Sequence, residues 1–281
     1  MDFIEILKAI FLGIVEGITE WLPVSSTGHM ILVDEFLTLS VSEAFKEMFF
    51  VVIQLGAILA VPVLFWGKLN PFSKSKNNAE KRNTLSLWGK VIVGAVPAAI
   101  IGVLLDDILE EYLYTPWVIA IALVVYGIAF ICVEKLRIFK PSEGGYRVEN
   151  VESLTYKDAL VIGTFQVLSL VPGTSRSGST ILGGMLTGVS RVASAEFSFF
   201  MAIPIMLGAS FLKILKFLME GFSATSTEMA ILFVGMAVSF LVSLAVIKFL
   251  MDFVKRHSFS CFGIYRIILG AIVIGYFLMK A

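Results

Sequence analysis

The sequence predicts an all-α polytopic membrane protein with six transmembrane helices and two re-entrant broken-helix segments in an inverted-topology repeat. Three observations predict it: an apolar composition, six apolar stretches of spanning length, and two polar, proline-containing segments within apolar sequence. Of 281 residues, 58% are hydrophobic and only 16% are charged, and the mean hydropathy is +0.91. This composition excludes an ordinary soluble domain, whose surface needs more charge.

The six apolar stretches are each about long enough to cross a hydrocarbon core of ~30 Å. They lie near residues 48–67, 88–105, 117–136, 194–218, 228–250 and 262–279.

Two further segments, 8–37 and 156–188, are interrupted in the middle by Pro23 and Pro172 and by the Ser, Thr and Gly residues beside them. Such residues break a helix, so each segment is predicted to form two half-helices that meet at a polar tip.

The loop charges predict an orientation. The basic loops 68–90, 135–157 and 248–257 fall on one side of the membrane if the crossings alternate, whereas 106–116 and 219–227 lack Lys and Arg. Basic loops stay in the cytoplasm. Segment 8–37 is therefore expected to enter from the outer face and segment 156–188 from the cytoplasmic face.

Opposite topology of the two halves predicts a duplication within one membrane domain, 1–281. The repeats are approximately 1–136 and 156–281, joined by a cytoplasmic loop 137–155. At an offset of about 150, Pro23 aligns with Pro172 and Ser26 with Ser175 if one single-residue gap is allowed. Chance matching in apolar sequence of low diversity is the alternative, and the joint alignment of the two prolines with the two serine clusters favours duplication. Inverted repeats with broken helices commonly form sites near the midplane.

Other features exclude some functions. The net charge is zero, but basic residues cluster in one loop and acidic residues in another, which favours oriented loops over a nucleic-acid surface. Cys132 and Cys261 lie far apart in or beside apolar stretches, which favours packing over a disulfide or metal site. The N-terminus lacks the basic region and cleavage site of a signal peptide.

The first polar segment, EGITEWLPVSSTGH at 16–29, contains two carboxylates on one helix face, Glu16 and Glu20. Like charges this close repel unless a cation or a polar ligand bridges them, and carboxylate oxygens suit Mg²⁺ or Ca²⁺. We therefore expect a divalent cation as cofactor, held by these two residues. The alternative is that Glu20 caps a helix or reaches an interface while Glu16 pairs with a basic residue.

The hydroxyls that follow Pro23 are candidates for catalysis and substrate binding. Ser26 can cap the next half-helix, with His29 one turn along as the base for a serine nucleophile. Ser25 and Thr27 are expected to bind substrate. The alternatives are a purely capping role for the serines and a buried structural role for the histidine.

The second polar segment, PGTSRSGST at 172–180, places Arg176 among hydroxyls and glycines at the start of another half-helix. Free N–H groups, the helix dipole and a guanidinium fork together suit phosphate. We expect Ser175, Arg176, Ser177 and Thr180 to bind the substrate. Arg176 as an interfacial anchor is the alternative, which fits poorly at a tip between half-helices.

These two segments, with VVIQLGAILAV, GVSR and EFSFFMAIP, resemble the bacterial undecaprenyl-diphosphate phosphatase (bacitracin-resistance) family over nearly the whole chain. The resemblance implies dephosphorylation of the C55 lipid carrier diphosphate in the bacterial plasma membrane, which feeds peptidoglycan synthesis. By motif position, it implies a functional set of Glu16, Glu20, Ser26, His29, Ser175, Arg176 and Thr180.

The chain departs from that family at one position: the family often has Glu directly before VVIQLG, where this chain has Phe50. Glu47, one turn earlier, is the nearest substitute for a third metal-binding carboxylate. A family related to phosphatidic acid phosphatase is excluded because it needs a His six residues after its Arg, where this chain has Leu182.

The predicted catalytic residues are Ser26, Glu20, Arg176 and His29. Ser26 is the nucleophile, Glu20 holds the cation with Glu16, Arg176 and helix N–H groups stabilise charge, and His29 is the general base or the acid for the leaving oxygen. Attack by water, with Ser26 orienting the phosphate, is left open. The rival function is a transporter or flippase of a polyprenyl phosphate lipid. The site is expected to open to the outer side, and glycines such as Gly183 and Gly184 permit a homodimer.

Overall fold

The computed structural model describes residues 3–135 and 146–280. Within these residues it is α-helical and has no β-strand, only an isolated bridge between Val148 and Val189. The helices described are α1 (Phe3–Thr19), α2 (Ser26–Asp34), α3 (Glu43–Val52), α4 (Gln54–Leu64), α5 (Trp66–Leu69), α6 (Asn78–Leu113), α7 (Pro116–Lys135), α8 (Tyr156–Val167), α9 (Arg176–Leu186), α10 (Arg191–Met219), α11 (Ser226–Arg256) and α12 (Ser260–Lys280).

Six helical stretches of the described residues are long and apolar enough to cross a membrane, which confirms the predicted number of spans. They are α6, α7, α10, α11, α12 and the joined helices α3 and α4, which form one span of 22 residues. α6 begins ten residues before the predicted stretch because Asn77 and Glu80 form a capping box at its N-terminus. The apolar run therefore marks the membrane span but not the start of the helix.

The two proline-containing segments each consist of two helices separated by a turn. α1 and α2 flank residues 20–25, and α8 and α9 flank residues 168–175, where a short 3₁₀ turn, Leu168–Leu170, follows α8. The re-entrant path of these segments and the inverted duplication stay predictions. The predicted loop 137–155 lies partly outside the described residues, as do its basic residues Arg137 and Lys140.

The caps of α2 and α9 correct one prediction. The N-cap of α2 is Ser25, not Ser26, and its hydroxyl accepts a hydrogen bond from the Gly28 N–H at 3.2 Å. Ser175 caps α9 in the same way. Both caps have a left-handed backbone, with φ of 75° and 71°, so the structural counterpart of Ser175 is Ser25.

Close glycine contacts set the positions of the half-helices. A Cβ added at Gly163 in α8 would lie 2.2 Å from the carbonyl oxygen of Gly94 in α6. A Cβ added at Gly13 in α1 would lie 2.6 Å from the carbonyl oxygen of Gly235 in α11. Each first half-helix therefore packs directly on the backbone of a long helix, and only glycine permits that approach.

The glycines considered for a homodimer pack within the chain. A Cβ on Gly183 would lie 2.7 Å from the Cβ of Phe165, and one on Gly184 would lie 2.5 Å from the Ser194 hydroxyl. Their small size is explained by internal packing, so the homodimer stays a prediction without support from these two positions.

Candidate active site

The two polar turns meet at an ion pair. Arg176 at the start of α9 donates from Nη2 to Glu20 Oε1 at 2.9 Å, and the side chains are only 11% and 5% exposed. Its Nη1 donates to the carbonyl oxygen of Ser198 at 2.8 Å, and its guanidinium carbon lies 5.8 Å from the Trp21 ring centroid. These two hydrogen bonds and the ring contact orient the guanidinium plane, and a planar, oriented guanidinium suits bidentate contact with phosphate.

The candidate nucleophile lies on the same carboxylate. Ser26 Oγ donates to Glu20 Oε2 at 2.7 Å, so one oxygen of Glu20 contacts the arginine and the other contacts the serine. A carboxylate that accepts a hydrogen bond from a serine hydroxyl can act as the general base for that serine. The structure thus brings together Ser26, Glu20 and Arg176, all predicted from the sequence as catalytic residues.

The remaining hydroxyls of the second turn form internal hydrogen bonds. Ser177 Oγ lies 3.1 Å from Ser175 Oγ and donates to the Glu20 carbonyl at 3.2 Å. Thr180 Oγ1 donates to the Arg176 carbonyl at 2.9 Å and lies 2.7 Å from Ser198 Oγ. These predicted substrate-binding residues join the two turns and hold Arg176 in place. Ser198 was not singled out in the sequence, although it lies in the EFSFFMAIP motif.

His29 does not pair with Ser26 as the spacing predicted. Its Nδ1 lies 2.7 Å from the Ser25 carbonyl oxygen, and its Nε2 lies 2.6 Å from the Tyr265 hydroxyl. Both ring nitrogens are therefore engaged, while the Ser26 hydroxyl points to Glu20. A three-residue separation on a helix puts two side chains on one face but does not decide which partner a rotatable hydroxyl selects. Thr27, between these residues in the chain, is partly exposed in the first turn of α2.

The paired carboxylates of the first turn fit a hard cation. Glu16 is 1% exposed and lies beside Glu20, and its Oε1 has no hydrogen-bond partner among the described residues. An orphaned buried carboxylate oxygen next to a second carboxylate is a suitable donor set for Mg²⁺ or Ca²⁺. In the described part of the chain, no group of three or more His, Cys, Asp or Glu residues is arranged to hold a metal.

Glu47 is not a third carboxylate of this pair. Its side chain is 58% exposed, and it accepts a hydrogen bond from Lys213 Nζ at 3.1 Å. The prediction that Glu47 replaces the glutamate missing at position 50 is therefore wrong, because the Glu47 side chain points towards Lys213 of α10.

Arg266 is a site-forming residue that the motif analysis missed. It is fully buried in α12, and it donates from Nη1 to the Pro23 carbonyl at 3.1 Å and from Nη2 to the Gly173 carbonyl at 2.7 Å. One side chain thus bridges the two polar turns. The sequence does contain an indication of this role. Arg266 is the only charged residue between positions 262 and 279, and charged residues within apolar spans usually have a function.

These features define the class as a polytopic α-helical membrane protein with a largely buried serine–carboxylate–arginine site built from the turns between two pairs of helices. Residues 9–272 match the family model described as bacitracin resistance protein BacA, and the chain belongs to that family.

Similar curated proteins cover the chain from end to end. The undecaprenyl-diphosphatase of Enterococcus faecalis is 60% identical over 277 residues, which is 98% of each chain. Proteins of the same name from Desulfitobacterium hafniense and Streptococcus mutans are each 54% identical, the former over 99% of this chain and 98% of its own length, the latter over 100% and 99%.

Proposed function

We propose that this protein is an undecaprenyl-diphosphatase that hydrolyses undecaprenyl diphosphate to undecaprenyl phosphate and inorganic phosphate. The names of full-length relatives at 53–60% identity support this function. The observation that carries it is the contact of Ser26 and Arg176 with opposite oxygens of the Glu20 carboxylate. A nucleophile, its proton acceptor and a phosphate-binding cation are the minimal set for phosphoryl transfer.

The chemistry begins with attack by Ser26 Oγ on the terminal phosphorus. A bond forms between Oγ and phosphorus, the bridging P–O bond breaks, and undecaprenyl phosphate leaves with the bridging oxygen. The serine proton moves to Glu20, whose Oε2 already accepts the hydrogen bond of the serine hydroxyl, and Glu20 then releases this proton to solvent. Water attacks the phosphoserine and gives a proton to Glu20, the bond between phosphorus and Oγ breaks, inorganic phosphate leaves, and Glu20 returns the proton to Ser26 Oγ.

Arg176 stabilises charge on the transferred phosphoryl group. In phosphoryl transfer this charge is spread over three equatorial oxygens, and a planar guanidinium can contact two of them. Its Nη1 is fixed by the Ser198 carbonyl and its Nη2 by Glu20, so the substrate competes with Glu20 for the second contact. Release of Glu20 from Arg176 makes this carboxylate a stronger base as the phosphate binds.

A divalent cation, Mg²⁺ or Ca²⁺, fits the proposal. Glu16 would supply its orphaned oxygen and Glu20 would share the ion. When bound, such a cation neutralises charge on the phosphate oxygens. A polyprenyl diphosphate is anionic and would lie beside the Glu16 and Glu20 carboxyl groups, so an added positive charge would favour its binding.

The location proposed for the reaction is the bacterial plasma membrane, with the site open to the outer side. The six apolar spans support a multi-pass membrane protein. The basic loops support the orientation, because they would lie in the cytoplasm while segment 8–37 enters from the opposite face.

Phosphate release separates this function from lipid transport. Purified protein in detergent is supplied with undecaprenyl diphosphate, and inorganic phosphate is measured against a Ser26→Ala control. An enzyme releases phosphate and the control does not. A flippase without hydrolase activity releases none in either sample, and that result would overturn the proposal.

A further inference from the structure

We propose that Tyr265 is a positioning residue for the nucleophile, acting through His29 on the turn that carries Ser26. The expected effect on kcat rests on the proposed function, whereas the hydrogen bond between Tyr265 and His29 does not depend on it. Tyr265 lies on α12, beside Arg266, and its hydroxyl oxygen lies 2.6 Å from His29 Nε2.

The hydrogen bonds of His29 define its tautomer. The Ser25 carbonyl oxygen, 2.7 Å from Nδ1, can only accept, so Nδ1 carries the proton. In the neutral imidazole Nε2 is then an acceptor, and the Tyr265 hydroxyl donates to it. A doubly engaged imidazole of this kind positions groups and is not free to accept the Ser26 proton.

The ring geometry agrees with an edge-on hydrogen bond. The planes of His29 and Tyr265 are 4° apart, with centroids 5.6 Å apart. The 2.6 Å separation of hydroxyl and Nε2 is shorter than the ~3.5 Å contact of stacked ring faces. The hydroxyl therefore meets the imidazole at its edge, where the Nε2 lone pair points.

The backbone of Ser25, whose carbonyl accepts the His29 hydrogen bond, has a strained conformation. Ser25 has φ of 75°, a conformation that is costly for a residue with a Cβ and persists only when its surroundings hold it. The helical bond from the His29 N–H to the Ser25 carbonyl is long, 3.3 Å. The imidazole N–H provides a second, shorter donor to the same carbonyl.

The second turn provides a comparison within the chain. Ser175 has nearly the same φ, 71°, but the Ser179 N–H donates to its carbonyl at 2.9 Å. That turn has serine where the first has histidine, and its backbone bond is sound without a side-chain donor. The imidazole thus compensates for a weak bond in the turn whose next residue, Ser26, must reach Glu20.

The first test is Tyr265→Phe, with Tyr276→Phe as the matched control. Tyr276 lies on the same helix, but its hydroxyl contacts Glu35. We expect Tyr265→Phe to lower kcat about 3–10-fold, the scale of one hydrogen bond, with little change in KM. Equal kcat in Tyr265→Phe, Tyr276→Phe and wild type would overturn the proposal.

The second test asks whether His29 supplies a donor or an acid–base group. His29→Asn keeps an N–H donor near the Nδ1 position, and His29→Ala keeps none. A positioning role predicts clearly higher kcat in the asparagine variant, and no further loss when Tyr265→Phe is added to it. Equal kcat in the two variants would contradict the proposal.

The third test is independent of activity. The chain has two histidines, His29 and His257, so the side-chain resonances of ¹⁵N-histidine-labelled protein can be assigned with a His257→Gln variant. We expect His29 to be protonated on Nδ1, with its Nε2 resonance displaced in Tyr265→Phe but not in Tyr276→Phe. A proton on Nε2 alone would refute the tautomer. If wild-type protein releases no phosphate, the proposed function fails while this spectrum still tests the structural claim.

Discussion

Arg176 and Glu20 are 156 positions apart in the chain, yet Arg176 Nη2 lies 2.9 Å from Glu20 Oε1. The pair is almost fully buried, and removal of one partner would leave a charge without its counter-ion, which commonly costs about 3–5 kcal/mol. The two polar turns are therefore joined through the groups that the proposed reaction uses. A substitution that displaces one turn should therefore also alter the position of the other.

Chelation of divalent cations should abolish phosphate release, and Mg²⁺ or Ca²⁺ should restore it. Glu16→Gln and Glu20→Gln should each weaken the response to added metal, because each removes a carboxylate oxygen from the pair. Glu47→Gln is the control, since Glu47 contacts Lys213, and its metal titration should match that of wild type. Full activity of the wild-type protein in EDTA would exclude the metal assignment.

Ser26→Ala should lower kcat by several orders of magnitude, because it removes the attacking oxygen. Ser25→Gly is the matched control: glycine adopts the φ of 75° readily, and loss of a serine cap to glycine costs only a few tenths of a kcal/mol. We expect the control to retain most of its turnover. Near-normal kcat in Ser26→Ala would assign the attack to water.

Arg266→Met should destabilise the protein and lower activity together. The change leaves the buried Pro23 and Gly173 carbonyls without donors, at about 1–3 kcal/mol for each unsatisfied group. Thermal unfolding in detergent measures the loss, with the exposed Arg256→Met as control. An unfolding temperature equal to that of the control would show that Arg266 does not hold the turns together.

Cysteine labelling in intact cells tests the orientation. In a background without Cys132 and Cys261, a cysteine at Asn77 should be protected from an impermeant thiol reagent, because the basic loop around it is expected in the cytoplasm. Cysteines at Tyr112 and Ser223 should be labelled. Glu143, a second cytoplasmic position, lies outside the described residues. Labelling of Asn77 from outside would reverse the proposed orientation.

The sequence was sufficient for the spans and for most of the site. Apolar length alone predicts six crossings, and the prolines with their hydroxyl clusters locate the turns. Ser26, Glu20 and Arg176 were predicted because ionisable and nucleophilic groups are expensive in an apolar environment.

The partners of these groups could not be predicted from spacing. The Ser26 hydroxyl can rotate, and it contacts Glu20 because both His29 nitrogens are engaged by the Ser25 carbonyl and the Tyr265 hydroxyl, the second of which lies far away in the chain. Arg266 and Tyr265 reach the site only because α12 packs against the turns. Tyr265 and His29, for example, are more than 200 positions apart in the chain.

A double-mutant cycle tests most directly the claim that both turns form one catalytic site. Phosphate release is measured for wild type, Ser26→Ala, Arg176→Ala and the double variant, each checked for folding by thermal unfolding. Residues that act on one transition state behave as a unit, so the double variant should be about as slow as the slower single variant. A double variant that shows the full product of two large single losses would contradict the account, because it would mean that Ser26 and Arg176 act independently.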